Sequence, residues 1–313
     1  MEQMHQKLAE LTQNVQSVML GKEQTVRQVL IALLAKGHVL LEDVPGVGKT
    51  ILSRAIARSI DCTFSRVQLT PDLLPSDILG VSVYDGKTGE FHFKRGPIFT
   101  HMLLADEINR TTPRTQSALL EAMNESQVTA DGRTYALGPP FMVIATQNPY
   151  EFEGTYFLPE NQLDRFMLRV RVGYPDRDTE REIIRRQPAR TRLAELGPVM
   201  NLGELLAIQD RVQEVRVDDA IIEYILSIVE ATRRNDELMV GLSPRASLAM
   251  MQASRASALL DQRDYVTPDD VKELAVPVCA HRIISRSLTS DDGAGSSCEQ
   301  LFRQILETIP VPQ

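Results

Sequence analysis

The chain has 313 residues, 43% of them hydrophobic and 24% charged, and its formal net charge is -8. A chain of this length can bury a core in one large domain or two, but its acidic balance and lack of tryptophan argue against broad electrostatic or stacking contacts with nucleic acid. The three cysteines match no zinc or disulfide spacing, and no apolar run approaches the roughly 20 residues that cross a membrane. We therefore expect a cytoplasmic protein with reduced thiols and no segment inserted into a membrane.

The first predicted elements are a helix, a strand and a second helix. Apolar residues recur at helical spacing between residues 22 and 36, and Gly37 is expected to end this helix. The stretch HVLLED (38–43) predicts a short buried strand, and KTILSRAIARSI (49–60) predicts the helix after it. A glycine-rich loop connects this strand to this helix.

This loop ends like the phosphate-binding pattern G-x-x-x-x-G-K-[ST], with Gly48, Lys49 and Thr50 in its last three positions. Glycines let backbone N–H groups approach phosphates, and the N-terminus of the next helix favours an anion. Lys49 is expected to reach the β- and γ-phosphates of ATP, and the Thr50 hydroxyl to ligate Mg²⁺. The alternative is an ordinary strand-to-helix turn with incidental glycines. The residues expected to contact the nucleotide are Val44, Pro45, Gly46, Val47, Gly48, Lys49, Thr50 and Ile51.

Asp43 stands where the pattern has its first glycine. Aspartate is among the residues that best tolerate a left-handed backbone, because its side chain can bond to nearby backbone groups. We therefore expect the Asp43 carboxylate to point back into the loop as a structural substitute for glycine, and away from the phosphates.

Four more apolar runs have the length of strands, and helical patterns separate several of them. They are FSRVQLT (64–70), HMLLADE (101–107), FMVIATQ (141–147) and FMLRVRV (166–172). This alternation favours an α/β fold with a parallel sheet that is covered on both faces. In such sheets ligands bind at the carboxyl ends of the strands.

Polar side chains follow two of these strands and are expected to meet the loop at that edge. Asp106 is expected to hold Mg²⁺ through water, Glu107 to polarise the attacking water, and Asn148 to orient it. Each signal is weak alone, since many strands end in acidic residues and an asparagine after a strand is usually a turn residue. The order of loop, acidic strand end and polar strand end strengthens all three.

The remaining chain predicts two inserted hairpins and a helical C-terminal part. Asp85-Gly86 and Asp131-Gly132 lie between β-prone flanks, which is typical of hairpin turns. After Pro175 the sequence becomes highly charged and then helical throughout. We predict an α/β nucleotide-binding domain over residues 1–180 and a smaller helical domain over residues 181–313.

Several stretches together resemble the MoxR-type AAA+ ATPases over essentially the whole chain. They are LLEDVPGVGKT, TPDLLPSDILG, GPIFTHMLLADEINR, QSALLEAMNE, VIATQNP, LPENQLDRFMLRV and LSPRASL. The combination of LADEINR with LDRF and SPR is specific. The resemblance implies a P-loop domain with sheet order 5-1-4-3-2, followed by an all-α lid. It also implies that the hairpins correspond to the helix-2 and pre-sensor-1 inserts of the wider group.

The same resemblance assigns roles to three residues. Asn148 is similar to sensor 1, Arg165 to an arginine finger given to a neighbouring subunit, and Arg245 to sensor 2. The alternative for Arg165 is a salt bridge with Asp164 or another acid. Arg245 occupies the first turn of a predicted helix, where a cation opposes the helix dipole, so a phosphate partner is expected. Whether that phosphate belongs to its own subunit or the next one stays open.

The function that the resemblance implies is Mg²⁺-dependent hydrolysis of ATP to ADP and phosphate. The family forms rings, so a homo-hexamer is expected. The resemblance also implies that the ring acts as a chaperone on protein clients, together with von Willebrand factor A-domain partners. One alternative is a nucleic-acid motor, against which the acidic charge and the sparse aromatics argue. Another is a switch that binds ATP without hydrolysing it, against which Glu107 and Arg165 argue.

Overall fold

A computed structural model describes residues 2–44, 46–149, 155–156, 158–189, 191–286 and 294–312. The elements up to residue 170 are α1 (Glu2–Gln16), α2 (Glu23–Leu34), β1 (Val39–Glu42), α3 (Lys49–Ser59), β2 (Phe64–Gln68), α4 (Pro75–Leu79), β3 (Gly80–Asp85), β4 (Glu90–Arg95), β5 (Met102–Asp106), α5 (Pro113–Glu125), β6 (Gln127–Ala130), β7 (Arg133–Ala136), β8 (Met142–Gln147), α6 (Glu160–Leu163) and β9 (Leu168–Val170). After them come α7 (Arg177–Arg186), α8 (Arg192–Glu195), α9 (Leu202–Glu214), α10 (Asp219–Arg234), β10 (Leu238–Val240), α11 (Pro244–Leu260), α12 (Pro268–Cys279), β11 (Ile284–Ser285) and α13 (Ala294–Glu307).

Five of the described strands form the central sheet in the order β2-β5-β8-β1-β9. All four pairings in this sheet are parallel. When these strands are numbered 1 to 5 along the chain, the order is 5-1-4-3-2, which confirms the predicted AAA+ topology. The strand-to-strand connections are therefore crossovers, and the loops that follow the strands gather at one edge.

Both faces of the sheet are covered by apolar side chains, because the short strands alternate their residues between two cores. Val39 and Leu41 of β1 belong to the core on the side of α1, α2 and α3. Leu40 belongs to the opposite core, beneath α5. The core on the first side continues into the C-terminal helices, so the lid packs on the same hydrophobic cluster as the N-terminal helices. The fold is thus an α/β domain with a helical lid.

The two predicted hairpins are confirmed. Strands β3 and β4 pair antiparallel, as do β6 and β7. Asp131 and Gly132 both have positive φ, 51° and 73°, as a two-residue type I′ turn requires. The hairpins contact each other through Phe93 and Tyr135, whose rings stack with centroids 4.2 Å apart.

The described residues of the C-terminal part are mainly helical, but they include a short antiparallel pair, β10 with β11, which the sequence did not predict. Strands of two and three residues are too short to show alternation. The predicted division at residue 180 falls inside α7, and the domain bounds stay a prediction. Among the described residues we find no helix with the length and hydropathy of a membrane span.

The end of α2 differs from the prediction in one detail. Lys36, with φ 57°, adopts the left-handed conformation that was expected of Gly37. Gly37 is needed for another reason, since a Cβ there would lie 2.5 Å from Met167 Sδ and 2.7 Å from Met167 Cβ. The glycine therefore permits close packing of the helix end against the chain that enters β9.

We expect Gly37→Ala to lower the free energy of unfolding by about 1–3 kcal/mol, because the added methyl group must displace Met167 in a packed region. Gly86→Ala is the matched control, since a Cβ at Gly86 would meet no described atom within 4 Å. Denaturant titration of both variants measures the difference. Equal stability of the two variants would contradict the packing argument.

Candidate functional site

The glycine-rich loop leaves β1 at the carboxyl edge of the sheet and enters α3. Gly46 and Gly48 have φ values of 88° and 100°, which L-residues with a side chain rarely adopt. Gly48 is the N-cap of α3, so the backbone N–H groups of the first helical turn lack intrahelical partners. A Cβ at Gly46 would meet no described atom within 4 Å, so the loop borders open space. Pro45 lies outside the described residues.

Lys49 is surrounded by acidic groups. Its Nζ donates to the backbone carbonyl oxygen of Asp43 at 2.6 Å. Burial lowers the pKa of Lys49 below its ordinary value, while the charges of Asp43, Asp106, Glu107 and Glu42 act in the opposite direction. The loop lysine and the carboxylates at the ends of β1 and β5 therefore form one electrostatic cluster.

The Asp43 carboxylate points into the protein backbone, as predicted. Its Oδ1 accepts from the N–H of Val44 at 2.8 Å, and its Oδ2 accepts from the N–H of Gly173. The proposed reason was wrong, because Asp43 is not among the residues with positive φ. The carboxylate instead ties the start of the loop to the chain that leaves β9, a contact that glycine could not make.

Thr146 on β8 fixes the acidic end of β5. Its hydroxyl donates to Asp106 Oδ1 at 2.6 Å and accepts from the backbone N–H of Glu107 at 2.9 Å. Glu107 has φ 59°, so the backbone turns left-handed directly after the strand. The side chains of Asp106 and Glu107 therefore leave the chain in different directions, and the buried Thr146 holds both residues in place.

Side chains that the sequence analysis missed bind both carboxylates. Arg66 donates to Asp106 Oδ2 through Nε at 3.0 Å and through a terminal nitrogen at 2.7 Å. Gln68 Nε2 donates to Glu107 Oε2 at 2.7 Å, and Arg110 donates to the same oxygen at 3.1 Å. The sequence could have indicated these contacts. Arg66 and Gln68 are two residues apart on β2, and the predicted sheet order places β2 beside β5.

Asn148 follows β8, which lies between β5 and β1 in the sheet. Its backbone oxygen accepts from Asn109 Nδ2 at 3.4 Å, and its side chain is half-buried. The neighbouring Gln147 Nε2 donates to Glu42 Oε1 at 2.6 Å. The described residues of the loop, the acidic pair and Asn148 thus share the carboxyl edge of the sheet.

Arg165 and Arg245 lie elsewhere. Arg165 precedes β9, which runs parallel to β1, so it lies at the amino edge of the sheet, whereas the loop follows the carboxyl end of β1. Its guanidinium donates to the carbonyl oxygen of Leu120 at 2.6 Å. Arg245 pairs with Asp164 Oδ2 at 3.4 Å and is held near the same amino edge. Among the described residues, the ion-pair partners of Asp164 are Arg245 and Arg282, not Arg165.

Comparisons with known proteins agree with this architecture. Residues 38–168 match the family described as "ATPase family associated with various cellular activities (AAA)", and residues 230–304 match the AAA lid domain. The chain is 49% identical to uncharacterized protein YeaC of Bacillus subtilis, covering 99% of this chain and 97% of that protein. It is 43% identical to Chaperone MoxR1 of Mycobacterium tuberculosis, covering 96% and 81%.

A solved structure extends the agreement to three dimensions. The crystal structure of a candidate ATPase from Cytophaga hutchinsonii matches with a TM-score of 0.89 and 36% identity, covering 99% of this chain and 96% of that one. The chain therefore belongs to the MoxR family of AAA+ ATPases.

We expect Asp43→Asn to lower the free energy of unfolding by about 1–3 kcal/mol, because the amide can replace only one of two charge-assisted hydrogen bonds. The affinity for ADP should stay within a few-fold, since the carboxylate faces backbone N–H groups and not the open side of the loop. Asp210→Asn on α9 is the matched control, because the Asp210 side chain is 74% exposed. Denaturant titration and calorimetry measure the two effects.

A tenfold gain in ADP affinity would show that the Asp43 charge faces the phosphates, because a nearby like charge costs on the order of 1 kcal/mol or more. Unchanged stability would show that the bonds to Val44 and Gly173 do not anchor the loop.

Proposed function

We propose that this protein hydrolyses ATP to ADP and phosphate with Mg²⁺, in a ring whose active sites are shared between neighbouring subunits. The observation that carries the proposal is that the loop after β1 and the acidic pair at the end of β5 share one edge of the parallel sheet, where the charges of Asp106 and Glu107 act on Lys49. A nucleotide-binding loop with no carboxylate pair beside it would bind the nucleotide without hydrolysing it. Here three residues share one edge of the sheet. Lys49 would contact the phosphates, Asp106 would hold the metal and Glu107 would activate the water.

The residues of the loop fit a triphosphate and its metal. Gly46 borders open space, and the first turn of α3 has backbone N–H groups without intrahelical partners, which is what phosphate oxygens require. Thr50 and Asp106 offer hydroxyl and carboxylate oxygens, which are the ligands that Mg²⁺ prefers. Bound Mg²⁺ would neutralise charge on the phosphates. Val44, Pro45, Val47 and Ile51 complete the proposed contact set around the glycines and Lys49.

Glu107 is proposed to accept the proton of the attacking water. Within the described part of the chain, Gln68 and Arg110 bind Oε2 of its carboxylate, which fixes the side chain and leaves Oε1 for the water. Asn148, at the end of the neighbouring strand, is proposed to orient the same water through its amide. Thr146 anchors the turn that carries both acids, because it binds the Asp106 carboxylate and the backbone N–H of Glu107.

Arg165 and Arg245 are proposed to act on the nucleotide of the adjacent subunit. Within one chain the sheet separates them from the loop, since they lie at its amino edge. A strand of four residues spans roughly 13 Å at about 3.3 Å per residue, beyond the reach of either side chain from that edge. An arginine supplied in trans stabilises charge that develops on the γ-phosphate. For Arg245, which the sequence left open, this placement supports a role in the neighbouring subunit.

Protein clients are proposed as the substrates of the ring, and the relative named Chaperone MoxR1 supports this role. The homo-hexameric state and a von Willebrand factor A-domain partner rest on the family resemblance of the motifs. We do not propose a nucleic-acid substrate, in keeping with the net charge of -8.

We expect Glu107→Gln to bind ATP with unchanged affinity and to hydrolyse it about a hundredfold more slowly, because the amide cannot accept the proton of the water. Lys49→Ala should weaken binding itself. Glu121→Gln, an exposed position on α5, is the control for the loss of a carboxylate. Phosphate release and nucleotide titration separate the variants. Full hydrolysis by Glu107→Gln would remove Glu107 from the mechanism.

We expect Arg165→Ala to bind ATP normally and to hydrolyse it poorly, with several kcal/mol of transition-state stabilisation lost. Mixing Arg165→Ala with Lys49→Ala subunits should restore part of the activity, because an intact loop then meets an intact arginine. The measurement is phosphate release from each variant and from the mixture. The shared site is refuted if mixed oligomers form, as shown by co-purification of differently tagged subunits, and activity does not recover.

A further inference from the structure

The segment that carries Arg165 is held on both sides by residues of the lid. On one side, Arg282 pairs with Asp164 Oδ1 at 3.3 Å and Arg245 pairs with Asp164 Oδ2 at 3.4 Å. On the other side, Arg282 donates to the carbonyl oxygen of Phe166 at 2.8 Å. Arg282 thus contacts both neighbours of Arg165 in the sequence, through two nitrogens of one guanidinium.

His281 strengthens this contact. Burial lowers the pKa of His281 well below its ordinary value, and the charge of Arg282 lowers it further, so the ring is neutral near pH 7. Its Nε2 lies 3.0 Å from the carbonyl oxygen of Phe166 and 3.4 Å from Arg282 Nε. Because a carbonyl only accepts, the shorter contact places the proton on Nε2, and the longer one is then not a hydrogen bond. Phe166 is fully buried, so its backbone is fixed by packing as well as by these two donors.

Stability alone does not explain an arginine at this position. The side chain of Arg282 is 3% exposed, and that of Asp164 is 21% exposed. Within the described part of the chain, the Arg282 nitrogen and the Asp164 Oδ1 that pair make no hydrogen bond with the expected geometry, so their contact is ionic only. Apolar residues of similar volume often replace a buried ion pair without loss of stability, and buried charges can instead define one geometry.

The Arg165 side chain has little support of its own. One terminal nitrogen donates to Leu120, while Nε is buried without a hydrogen-bond partner among the described residues. Its reach towards another subunit therefore depends on where the backbone between Asp164 and Phe166 is held. That backbone is held by residues that follow α12, in the lid.

We propose that Arg282 is a positioning residue that acts through Arg165, so that the lid of one subunit sets the placement of the arginine in the active site of its neighbour. This inference rests on the proposed function, in which Arg165 acts in trans. A shift of the lid against the sheet would move Arg282, and with it the backbone on both sides of Arg165. The lid of one subunit would then control hydrolysis in the neighbouring subunit and not in its own.

The first test compares turnover with binding. Arg282→Met, which keeps the length and apolar packing of the side chain, should lower kcat about tenfold or more through misplacement of Arg165, with KM and ATP affinity unchanged. Arg282→Lys keeps the charge but cannot hold Asp164 and Phe166 together, so its kcat should be intermediate. Arg234→Met is the control, because the Arg234 side chain is 79% exposed and pairs with Glu230 within α10. In an Arg165→Ala background, Arg282→Met should cause no further loss.

The second test identifies the subunit in which Arg282 is needed. Arg282→Met mixed with Lys49→Ala should recover activity, because the Lys49→Ala subunit supplies an intact arginine to an intact loop. Arg282→Met mixed with Arg165→Ala should not recover, because neither subunit supplies a correctly placed arginine. Recovery in this second mixture would overturn the proposal, since it would mean that Arg282 serves the loop of its own subunit.

Other outcomes are also decisive. An unchanged kcat in both Arg282 variants would overturn the proposal, as would additive losses in the Arg165→Ala background. If Arg282→Met does not fold, as judged by thermal unfolding, Arg282→Lys is used in the same two mixtures. Failure of Arg165→Ala to recover with Lys49→Ala would instead refute the shared site, which separates the failure of the proposed function from that of this inference.

Discussion

The parallel pairing of β1 with β9 is the constraint on which the rest of the account depends. Because both strands run in the same direction, the loop after β1 and the arginine before β9 lie at opposite edges of one sheet. A single chain therefore places the loop, the acidic pair and Asn148 at one edge of the sheet and Arg165 at the other. The role in hydrolysis that we propose for Arg165 thus requires a second subunit.

Asp43 shows how the same sheet stabilises the phosphate-binding loop. The carboxylate joins the backbone after β1 to the backbone after β9, at the carboxyl edge, through the N–H groups of Val44 and Gly173. Arg282 makes a similar connection at the amino edge, between the lid and the entry to β9. The strand β9 is thus fixed at both ends, at one end to the loop and at the other to the lid. A movement of β9 would affect both parts of the shared site that we propose.

The sequence predicted those features of the fold that local patterns encode. Five apolar runs became the five strands, the Asp-Gly turns became hairpins, and family motifs supplied the strand order. The loop, Asp106 and Glu107 were found because each follows a strand. Contacts between residues that are distant in the sequence were not predicted. Examples are the hydrogen bonds of Arg66 and Gln68 with the acidic pair and the ion pair of Arg282 with Asp164. The close approach of Met167 to Gly37 was missed as well, because the two residues are far apart in the sequence.

The most direct test of the central claim is the specific ATPase activity of the unaltered protein across a dilution series that spans monomer to oligomer by light scattering. If neighbouring subunits complete each site, activity per subunit rises with concentration as oligomers form and levels off when assembly is complete. Activity per subunit that stays flat across the same transition would contradict the account, because it would show that one chain contains a complete active site.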